Sequence, residues 1–469
     1  MWIATVANID WPRSQTTDPA ALQHEMNGLL DAASDANLNC VVFQIRPTAD
    51  AFYQSAHEPW SHWLTGEQGR APSFDPLQYV IDECDRRGML VHVWINPYRV
   101  WLDSADRFLA GRDHLLQRHP ERIVQYGKTA YLHPALRENR DYICRVVADI
   151  VRHYDIDAVH MDDYFYPYRV AGEEFPDERE FRRDPRGFKS KDDWRRDNVD
   201  RIIRQIRDTI KAVKPWVEFG ISPFGVWRNK DRDPKGSATR AGQTNYDDLY
   251  ADILKWEREG WIDYAAPQLY WHIGFPAADY RVLAEWWNRN AYKTPLYIGH
   301  ASYRITPSSG TKAWKTPEEI IRQIRLNRTL AGIGGSIMYS AKSLLNPELR
   351  KALKESVYRS KSLPPENPRI RPVPAEAPGS PVVWVEEGFV RMNWQPEEGS
   401  RRYAVYRFRK GEKADFSDPE HLVAVTGSHD IRLPMPEDGK NGIGYRYAVT
   451  ALSATHLESE PVWAVAAED

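Results

Sequence analysis

The fold is decided by the stretch Asp157-Ala-Val-His-Met-Asp-Asp-Tyr-Phe-Tyr-Pro-Tyr168, in which a short apolar run ends in two adjacent carboxylates followed by aromatic residues. Side chains alternate along a β-strand, so Asp162 and His160 face one side, and Asp163 and Met161 face the other. The polar set suits the interior of a closed barrel. Asp162 is then predicted at the strand's C-terminal end, where the active sites of parallel α/β barrels lie.

An apolar strand followed by an amphipathic helix recurs eight times in residues 1–358. Eight such repeats predict a (β/α)₈ barrel, the TIM-barrel fold of the α/β class. The alternative, a doubly wound open sheet, requires a glycine-rich phosphate loop that the sequence lacks. The predicted strands are Trp2–Ile9, Asn39–Arg46, Met89–Asn96, Asp157–Asp163, Val217–Ser222, Ile262–Tyr270, Pro295–His300 and Gly334–Ser340. The predicted helices begin at Asp18-Pro19 and then span Asp75–Arg87, Arg137–Tyr154, Lys191–Lys214, Tyr246–Glu259, Ala277–Arg289, Thr316–Leu330 and Pro347–Val357.

The sequence after the barrel changes character twice. Prolines crowd residues 359–380, as in a semi-rigid linker. Residues 381–469 then carry seven short predicted strands at regular spacing, which predicts an all-β sandwich. Trp394 and the run that begins at Tyr445 resemble a fibronectin type III module. We expect this second domain to dock or space the barrel rather than to catalyse.

Composition limits the possible functions. Apolar residues make up 42% and charged residues 28% of the chain, which is typical of a globular protein. The net charge of −3 gives no electrostatic reason to expect a nucleic-acid partner. The three cysteines lack metal or redox spacing and are predicted to be buried free thiols. The sequence contains no transmembrane run and no signal peptide, but its abrupt entry into a strand at Trp2 is compatible with a targeting segment removed upstream.

Polar residues end nearly every predicted strand, whereas the floor of a packed barrel would carry aliphatic residues. The chain also has 18 Trp and 24 Tyr, many of them in loops, and such rings either fill a large barrel or stack on sugars. Polar strand ends beside aromatic loops favour a site for a polyhydroxylated ligand over ends that simply meet water. The strand-end residues are Asn8, Gln44, Arg46, Asn96, Asp162, Ser222, Gln268, Tyr270, His300 and Ser340, and the loop aromatics are Trp60, Trp63, Tyr98, Trp101, Tyr164, Tyr166, Trp227 and Trp271.

Carboxylates among sugar-stacking rings point to glycoside hydrolysis, which needs an acid for the leaving oxygen and a second carboxylate as nucleophile or base. Asp162 supplies one, unless it serves as a helix cap or pairs with Arg46. The second is Glu58 or Asp163, with Asp10 as a further candidate, because alternation separates Asp163 from Asp162 unless the strand has already ended.

Two further expectations concern the surroundings of this acid. His160, one layer below Asp162, is expected to hydrogen-bond that acid and orient it rather than to bind a metal. No metal-binding motif is present, so neither a metal nor a cofactor is predicted.

Several motifs in order resemble the glycosyl-hydrolase-like family 10, a family of bacterial lipoproteins. They are Trp2 to Pro12, Glu58-Pro-Trp-Ser with Leu64-Thr-Gly66, Trp94-Ile-Asn-Pro-Tyr-Arg99, His160-Met-Asp-Asp-Tyr-Phe-Tyr-Pro167, Gly220 to Arg228 and Pro267-Gln-Leu-Tyr-Trp271. The resemblance implies a TIM barrel in the cell envelope, often lipid-anchored, and hydrolysis of peptidoglycan glycan strands. This chain carries no lipid-accepting cysteine signal. The site residues that match the family motifs are Asn8, Asp10, Arg46, Glu58, Asn96, Arg99, Asp162, Asp163, Gln268 and Tyr270.

The sequence therefore predicts a glycoside hydrolase of the cell envelope that acts on an amino-sugar glycan. The alternatives are a non-catalytic glycan-binding barrel and a glucan hydrolase. The predicted partner is a polysaccharide, with membrane contact only through a lipid anchor that this chain lacks. The predicted catalytic residues are Asp162, Asp163 and Glu58; the predicted substrate-binding residues are Asn8, Asp10, Arg46, Asn96, Tyr98, Arg99, His160, Tyr164, Trp227, Gln268, Tyr270, Trp271 and His300.

Overall fold

The computed structural model describes residues 1–436 and 444–467 and contains a nearly closed barrel of eight parallel strands. Each strand pairs with the next one along the chain, as in a TIM barrel, so the predicted fold class is confirmed. The strands are β1 (Trp2–Ile3), β2 (Cys40–Arg46), β3 (Leu90–Ile95), β4 (Ala158–Met161), β5 (Glu218–Ile221), β6 (Tyr264–Ala265), β7 (Leu296–His300) and β8 (Ile333–Met338).

The helices that cover the barrel begin where the capping signals predict. Asp18 and Asp75 each accept a hydrogen bond from a backbone N–H of the helix that follows, with proline at the first helical position. None of the described helices is both long and apolar enough to cross a bilayer. The main helices are α1 (Pro19–Asp35), α2 (Pro76–Arg86), α3 (Arg137–His153), α4 (Lys191–Val213), α5 (Ile253–Arg258), α6 (Tyr280–Asn290), α7 (Glu318–Asn327) and α8 (Pro347–Ser356).

Several predicted elements are shorter than expected, among them the sixth strand, which covers only Tyr264–Ala265. The first strand stops at Ile3, because Ala7 and Asn8 take positive φ angles in a 3₁₀ turn. The helix predicted over Tyr246–Glu259 is broken at Tyr250, whose φ of 53° is left-handed, and Asp252 caps the new start. Both breaks occur where the chain passes around the barrel ends.

The barrel interior contains a chain of neutral polar groups. The Trp2 indole N–H donates to Nε2 of His160 at 3.1 Å, so that imidazole carries its proton on Nδ1. Nδ1 then donates to the hydroxyl of Tyr264 at 2.9 Å, and this hydroxyl donates to Nδ1 of His92 at 2.9 Å. Burial holds the pKa of both histidines below the usual range. The chain of bonds satisfies these polar groups without water.

Residues 379–436 and 444–467 form two four-stranded sheets that share one apolar core. Trp394 and Tyr403, from opposite sheets, pack edge to face at 5.2 Å in that core. The likeness to fibronectin type III stays a prediction, and residues 437–443 and 468–469 lie outside the described part. The strands are Gly379–Glu386, Phe389–Gln395, Ser400–Arg409, Leu422–Thr426, Asp430–Pro434, Tyr445–Ser453, Val462–Trp463 and Val465–Ala466.

The second domain packs against the N-terminal face of the barrel. Arg402 donates to Asp157, just before β4, and to Asp85 of α2. Gly88 has a φ of 67°, and a side chain there would overlap the backbone of Val425. The two backbones therefore approach directly at this end, away from the C-terminal ends of the strands.

Candidate active site

Strand β4 ends just before the two adjacent acids. The N–H of Ser222 donates to the carbonyl oxygen of Met161, the last residue of the strand, so alternation no longer governs the next residues. Asp162 and Asp163 both lie in the barrel mouth, where the charge of Asp162 raises the pKa of Asp163. The separation expected from strand alternation therefore does not apply, because the strand has already ended.

Asp162 is held by a network that joins the first four strands. Asn96, directly after β3, donates to its Oδ2 at 2.5 Å. Oδ1 of Asn96 accepts from Gln44 at 2.6 Å and from Arg99 at 2.8 Å. Gln44 in turn accepts from the N–H of Thr5 after β1. Burial raises the pKa of Asp162, whereas the nearby Arg99 and the bond from Asn96 oppose that rise.

Asp163 has different neighbours. The Tyr168 hydroxyl donates to its Oδ2, and Gln268 lies beside it. Burial raises the pKa of Asp163 to about 7, and the charge of Asp162 contributes to the rise. The mouth thus holds an acid whose pKa lies near neutrality beside a second carboxyl group that Asn96 fixes in place, and such different surroundings suit two carboxyl groups to two roles.

Half-buried aromatic rings surround the acids. Tyr164 stacks on Tyr168 with centroids 5.1 Å apart, and Arg99 lies 5.3 Å from the centre of the Tyr164 ring. On the other side Tyr270 stacks on Tyr339 at 5.7 Å, and Tyr303 packs on that pair with 43% of its surface exposed. Such ring faces bind the apolar faces of sugars. Tyr168, Tyr303 and Tyr339 were not among the predicted site residues, although Tyr339 directly precedes the polar strand end at Ser340.

Glu58 and Arg46 face the helix layer instead of the mouth. A register shift in β2 after Gln44 turns Arg46 outward. Its guanidinium bonds both oxygens of Glu58, at 2.5 and 2.8 Å, in a fully buried pair, and the Tyr142 hydroxyl of α3 donates to Glu58 at 3.0 Å. A carboxylate so committed cannot donate a proton to a substrate. Glu58 is therefore not a catalytic acid in this arrangement, and Arg46 does not line the cleft.

Asp10 and Asn8 hold the rim together. Asp10 accepts from the Ser340 hydroxyl at 2.6 Å and from two backbone N–H groups, those of Ala4 at 2.8 Å and Lys342 at 3.0 Å. These bonds join the end of β1 to the end of β8, which the strand ladder leaves open. The side-chain amide of Asn8 donates to the carbonyl oxygen of Pro12, on its own loop, and to that of Trp63, on the loop after β2.

The remaining predicted residues divide into two groups. Arg99, Tyr164, Gln268, Tyr270 and Trp271 join the mouth. His160 does not orient Asp162, since both of its nitrogens are used inside the barrel. His300 bonds Gln323 of α7, Trp227 stacks on Trp286 of α6, and Tyr98 is fully buried, so these three pack the structure.

No cluster of three or more His, Cys, Asp or Glu suited to a metal ion occurs within residues 1–436 and 444–467.

Fold and site together define an α/β-barrel protein with a carboxyl pair beneath an aromatic-lined cleft. The chain belongs to the family described as glycosyl hydrolase-like 10, whose model matches residues 1–316. It is 42% identical to the glycosyl hydrolase YngK of Bacillus subtilis over 471 residues, covering 98% of this chain and 91% of that protein. It is 38% identical to the glycosyl hydrolase DigH of Escherichia coli K12, covering 75% of this chain and 85% of that protein. A solved structure, the PgaB glycoside hydrolase domain from Bordetella bronchiseptica, aligns with a TM-score of 0.47 at 13% identity, over 73% of this chain and 96% of that chain.

Proposed function

We propose that this protein is a glycoside hydrolase that cleaves an amino-sugar glycan, with peptidoglycan glycan strands as the substrate. The observation that carries the proposal is the pair of adjacent carboxyl groups, Asp162 and Asp163, which have different hydrogen-bond partners at the mouth of a parallel barrel. The family and the names of the relatives support hydrolysis as the reaction class. The amino-sugar substrate and a location in the cell envelope rest on the resemblance in sequence.

Asp163 is the general acid in this proposal. Its carboxyl group is protonated up to about pH 7, so it can deliver a proton to the oxygen of the leaving sugar. Asp162, which Asn96 fixes in place, provides a negative charge for the sugar ring as that ring becomes positive in the transition state. The rings of Tyr164 and Tyr270 supply stacking faces on two sides of the acids.

The test is the release of reducing ends from glycan strands stripped of peptide. Wild-type protein should release them, and Asp162→Asn and Asp163→Asn should each lose activity by about 100-fold or more. Asp208→Asn on the exposed face of α4 is the matched control, because that side chain is 66% exposed and its partner Arg207 is also on the surface. The control should keep full activity.

Three results would overturn parts of this proposal. Binding of the strands without any release of reducing ends would establish a glycan-binding barrel instead. Release from α- or β-glucans but not from amino-sugar strands would establish a glucan hydrolase. Full activity of both Asp variants on the stripped strands would refute the assignment of the acids.

A further inference from the structure

We propose that the substrate's own 2-acetamido group is the nucleophile, so that the sugar on the non-leaving side of the bond must be a β-linked 2-acetamido-2-deoxy sugar. This inference rests on the proposed function and deepens it, because it fixes the substrate class and the role of each acid. The sequence offered several carboxylates as the second catalytic group. The geometry of the mouth points instead to a group on the substrate.

The first argument concerns where the carboxyl groups lie. A retaining enzyme with a protein nucleophile places two carboxyl groups about 5 Å apart on either side of the scissile bond. Asp162 and Asp163 follow one another at the end of a single strand, so they approach a bound sugar from the same edge of the mouth. Consecutive Cα atoms are only about 3.8 Å apart. A bond cannot easily lie between two groups placed in this way.

The second argument concerns the other acids that the sequence offered. Glu58 is bonded through both oxygens to Arg46 and packed beneath α3. Asp10 accepts three hydrogen bonds that join β1 to β8. Freeing either carboxylate would break buried structure and leave unpaired polar groups. Neither is available as nucleophile or base.

The third argument is that the contacts suit one acid to each task. Asn96 donates to Oδ2 of Asp162, whereas the N–H of Tyr164 lies 3.4 Å from Oδ1 and the indole of Trp94 is also beside this carboxyl group. In the proposed complex Oδ1 of Asp162 accepts the N–H of the acetamido group and turns its carbonyl oxygen toward C1. Tyr168 donates to Oδ2 of Asp163, and Gln268 lies beside the same group, so the transferable proton is placed on Oδ1. The two Oδ1 atoms would then meet the acetamido group and the leaving oxygen of one sugar.

The reaction is then written in two balanced steps. Asp163 gives its proton to the glycosidic oxygen as that oxygen leaves C1 with the bonding electrons, and the acetamido carbonyl oxygen forms a bond to C1. Asp162 accepts the acetamido N–H proton, which leaves a neutral oxazoline. Asp163, now a carboxylate, takes a proton from water, and the water oxygen attacks C1. The C1–oxazoline oxygen bond breaks, Asp162 returns the proton to nitrogen, and the product keeps the β configuration.

These steps also keep the total charge of the two acids constant. Two adjacent buried carboxyl groups cannot both carry a full charge without a large cost. In the first step Asp163 becomes charged while Asp162 gains a proton, and the second step reverses both changes. The pair therefore holds about one negative charge throughout. A mechanism in which Oδ1 of Asp162 attacked C1 would also keep that count and the bond from Asn96 to Oδ2, so the search for a sugar bound covalently to Asp162 separates the two mechanisms.

The experiment compares three measurements on wild-type protein. Peptide-free glycan strands are assayed for reducing ends before and after chemical N-deacetylation, and deacetylation should lower the rate by about 1,000-fold or more, since the internal nucleophile is removed. A thiazoline derived from 2-acetamido-2-deoxyglucose, a stable mimic of the oxazoline, should inhibit competitively and bind at least about 100-fold more tightly than substrate. Proton NMR of the first product formed should show the β anomer.

The outcomes separate the two proposals. If the acetylated strands release no reducing ends, the proposed hydrolysis itself is overturned. If acetylated and deacetylated strands are cut at similar rates, or if the first product is the α anomer, hydrolysis stands and the internal nucleophile is overturned. Isolation of a sugar bound covalently to Asp162 would also overturn it. Asp162→Asn should weaken thiazoline binding, whereas Asp208→Asn should leave that binding unchanged.

Discussion

Arg402 of the second domain controls the stability of the strand that carries the acid pair. It donates to Asp157 at 3.0 and 3.1 Å and to Asp85 at 2.9 Å, and the Arg402 and Asp157 side chains are only 4% and 2% exposed. Asp157 directly precedes β4, and its carboxylate also accepts from the N–H of Val91 at 2.8 Å. The guanidinium of Arg402, from the second domain, therefore holds the N-terminal end of β4 in place.

Replacing Arg402 by Met keeps the apolar stem and removes the charge. The carboxylate of Asp157 then stays buried with Arg401, at 3.7 Å, as its remaining cation, so the cost in the free energy of unfolding is at most about 3–5 kcal/mol. Solvent screens the attraction between Arg402 and Asp157 very little, because both side chains are almost fully buried. Arg391→Met is the matched control: its pair with Glu386 is on the surface, 37% and 52% exposed, and its loss should cost less than about 1 kcal/mol.

The effect depends on pH with a definite sign. Burial alone would raise the pKa of Asp157, but Arg402 and Arg401 outweigh burial and hold this pKa well below its usual range. The stabilisation is then complete above the unfolded-state pKa of about 3.9 and is lost as pH falls toward the folded-state value. The difference between wild type and Arg402→Met should accordingly be large at pH 7 and should shrink below pH 4.

Urea unfolding followed by circular dichroism and tryptophan fluorescence measures this difference. The double variant Asp157→Asn with Arg402→Met should lose less stability than the sum of the two single variants, because the buried carboxylate is removed together with its cation and only the partly exposed Asp85 loses a partner. Glycan cleavage measured at 25 °C in folded protein should be unchanged, since Arg402 lies at the other end of β4 from Asp162. Equal losses for Arg402→Met and Arg391→Met, or strict additivity in the double variant, would refute the reasoning.

Three further predictions concern ionisation and positioning. Asp163 must be protonated to act as the acid, so kcat should fall as pH rises through about 7. The Tyr168 hydroxyl lowers the pKa of Asp163, so Tyr168→Phe should move this fall in kcat to higher pH. A pH profile of kcat for both proteins checks these two expectations. Asn96→Ala frees Asp162 and should lower kcat/KM by about 100-fold with an unchanged far-UV spectrum, which steady-state kinetics and circular dichroism will test. Burial raises the pKa of Glu218 to about 8, so ionisation of this carboxyl group opposes folding as pH rises. Relative to wild type, Glu218→Gln should therefore be increasingly stable between pH 5 and 8. Urea unfolding midpoints of the two proteins that do not diverge over that range would contradict this.

Much of the fold could be predicted because its signals are local. Each strand carries an apolar run, each helix a 3.6-residue period, and Asp18 and Asp75 mark helix starts that the structure confirms by their hydrogen bonds. These signals depend on neighbours in sequence alone. The barrel and the order of its strands follow from them together with the rule that successive parallel strands in such a pattern pair.

The candidate site could be predicted only in part, because side-chain direction at a strand end depends on where the ladder stops. Strand β4 stops at Met161, so Asp163 shares the mouth with Asp162. The register shift in β2 likewise turns Arg46 to the helix layer, which removes Glu58 from the mouth as well. Neither event changes the local hydrophobic pattern, and both are set by pairing with neighbouring strands.

One cation distinguishes the surroundings of the two carboxyl groups. Burial raises the pKa of Asp162 and Asp163 alike, but Arg99 lies on the side of Asp162 only. Asp163 faces the hydroxyl of Tyr168 and the amide of Gln268, which are neutral and stabilise a carboxylate less than a guanidinium does. Adjacent residues thereby gain different surroundings, as two catalytic roles require, without a carboxylate from a second strand. The polar but uncharged ends of β5 and β6, which carry no carboxylate in the sequence, are compatible with hydrolysis for this reason.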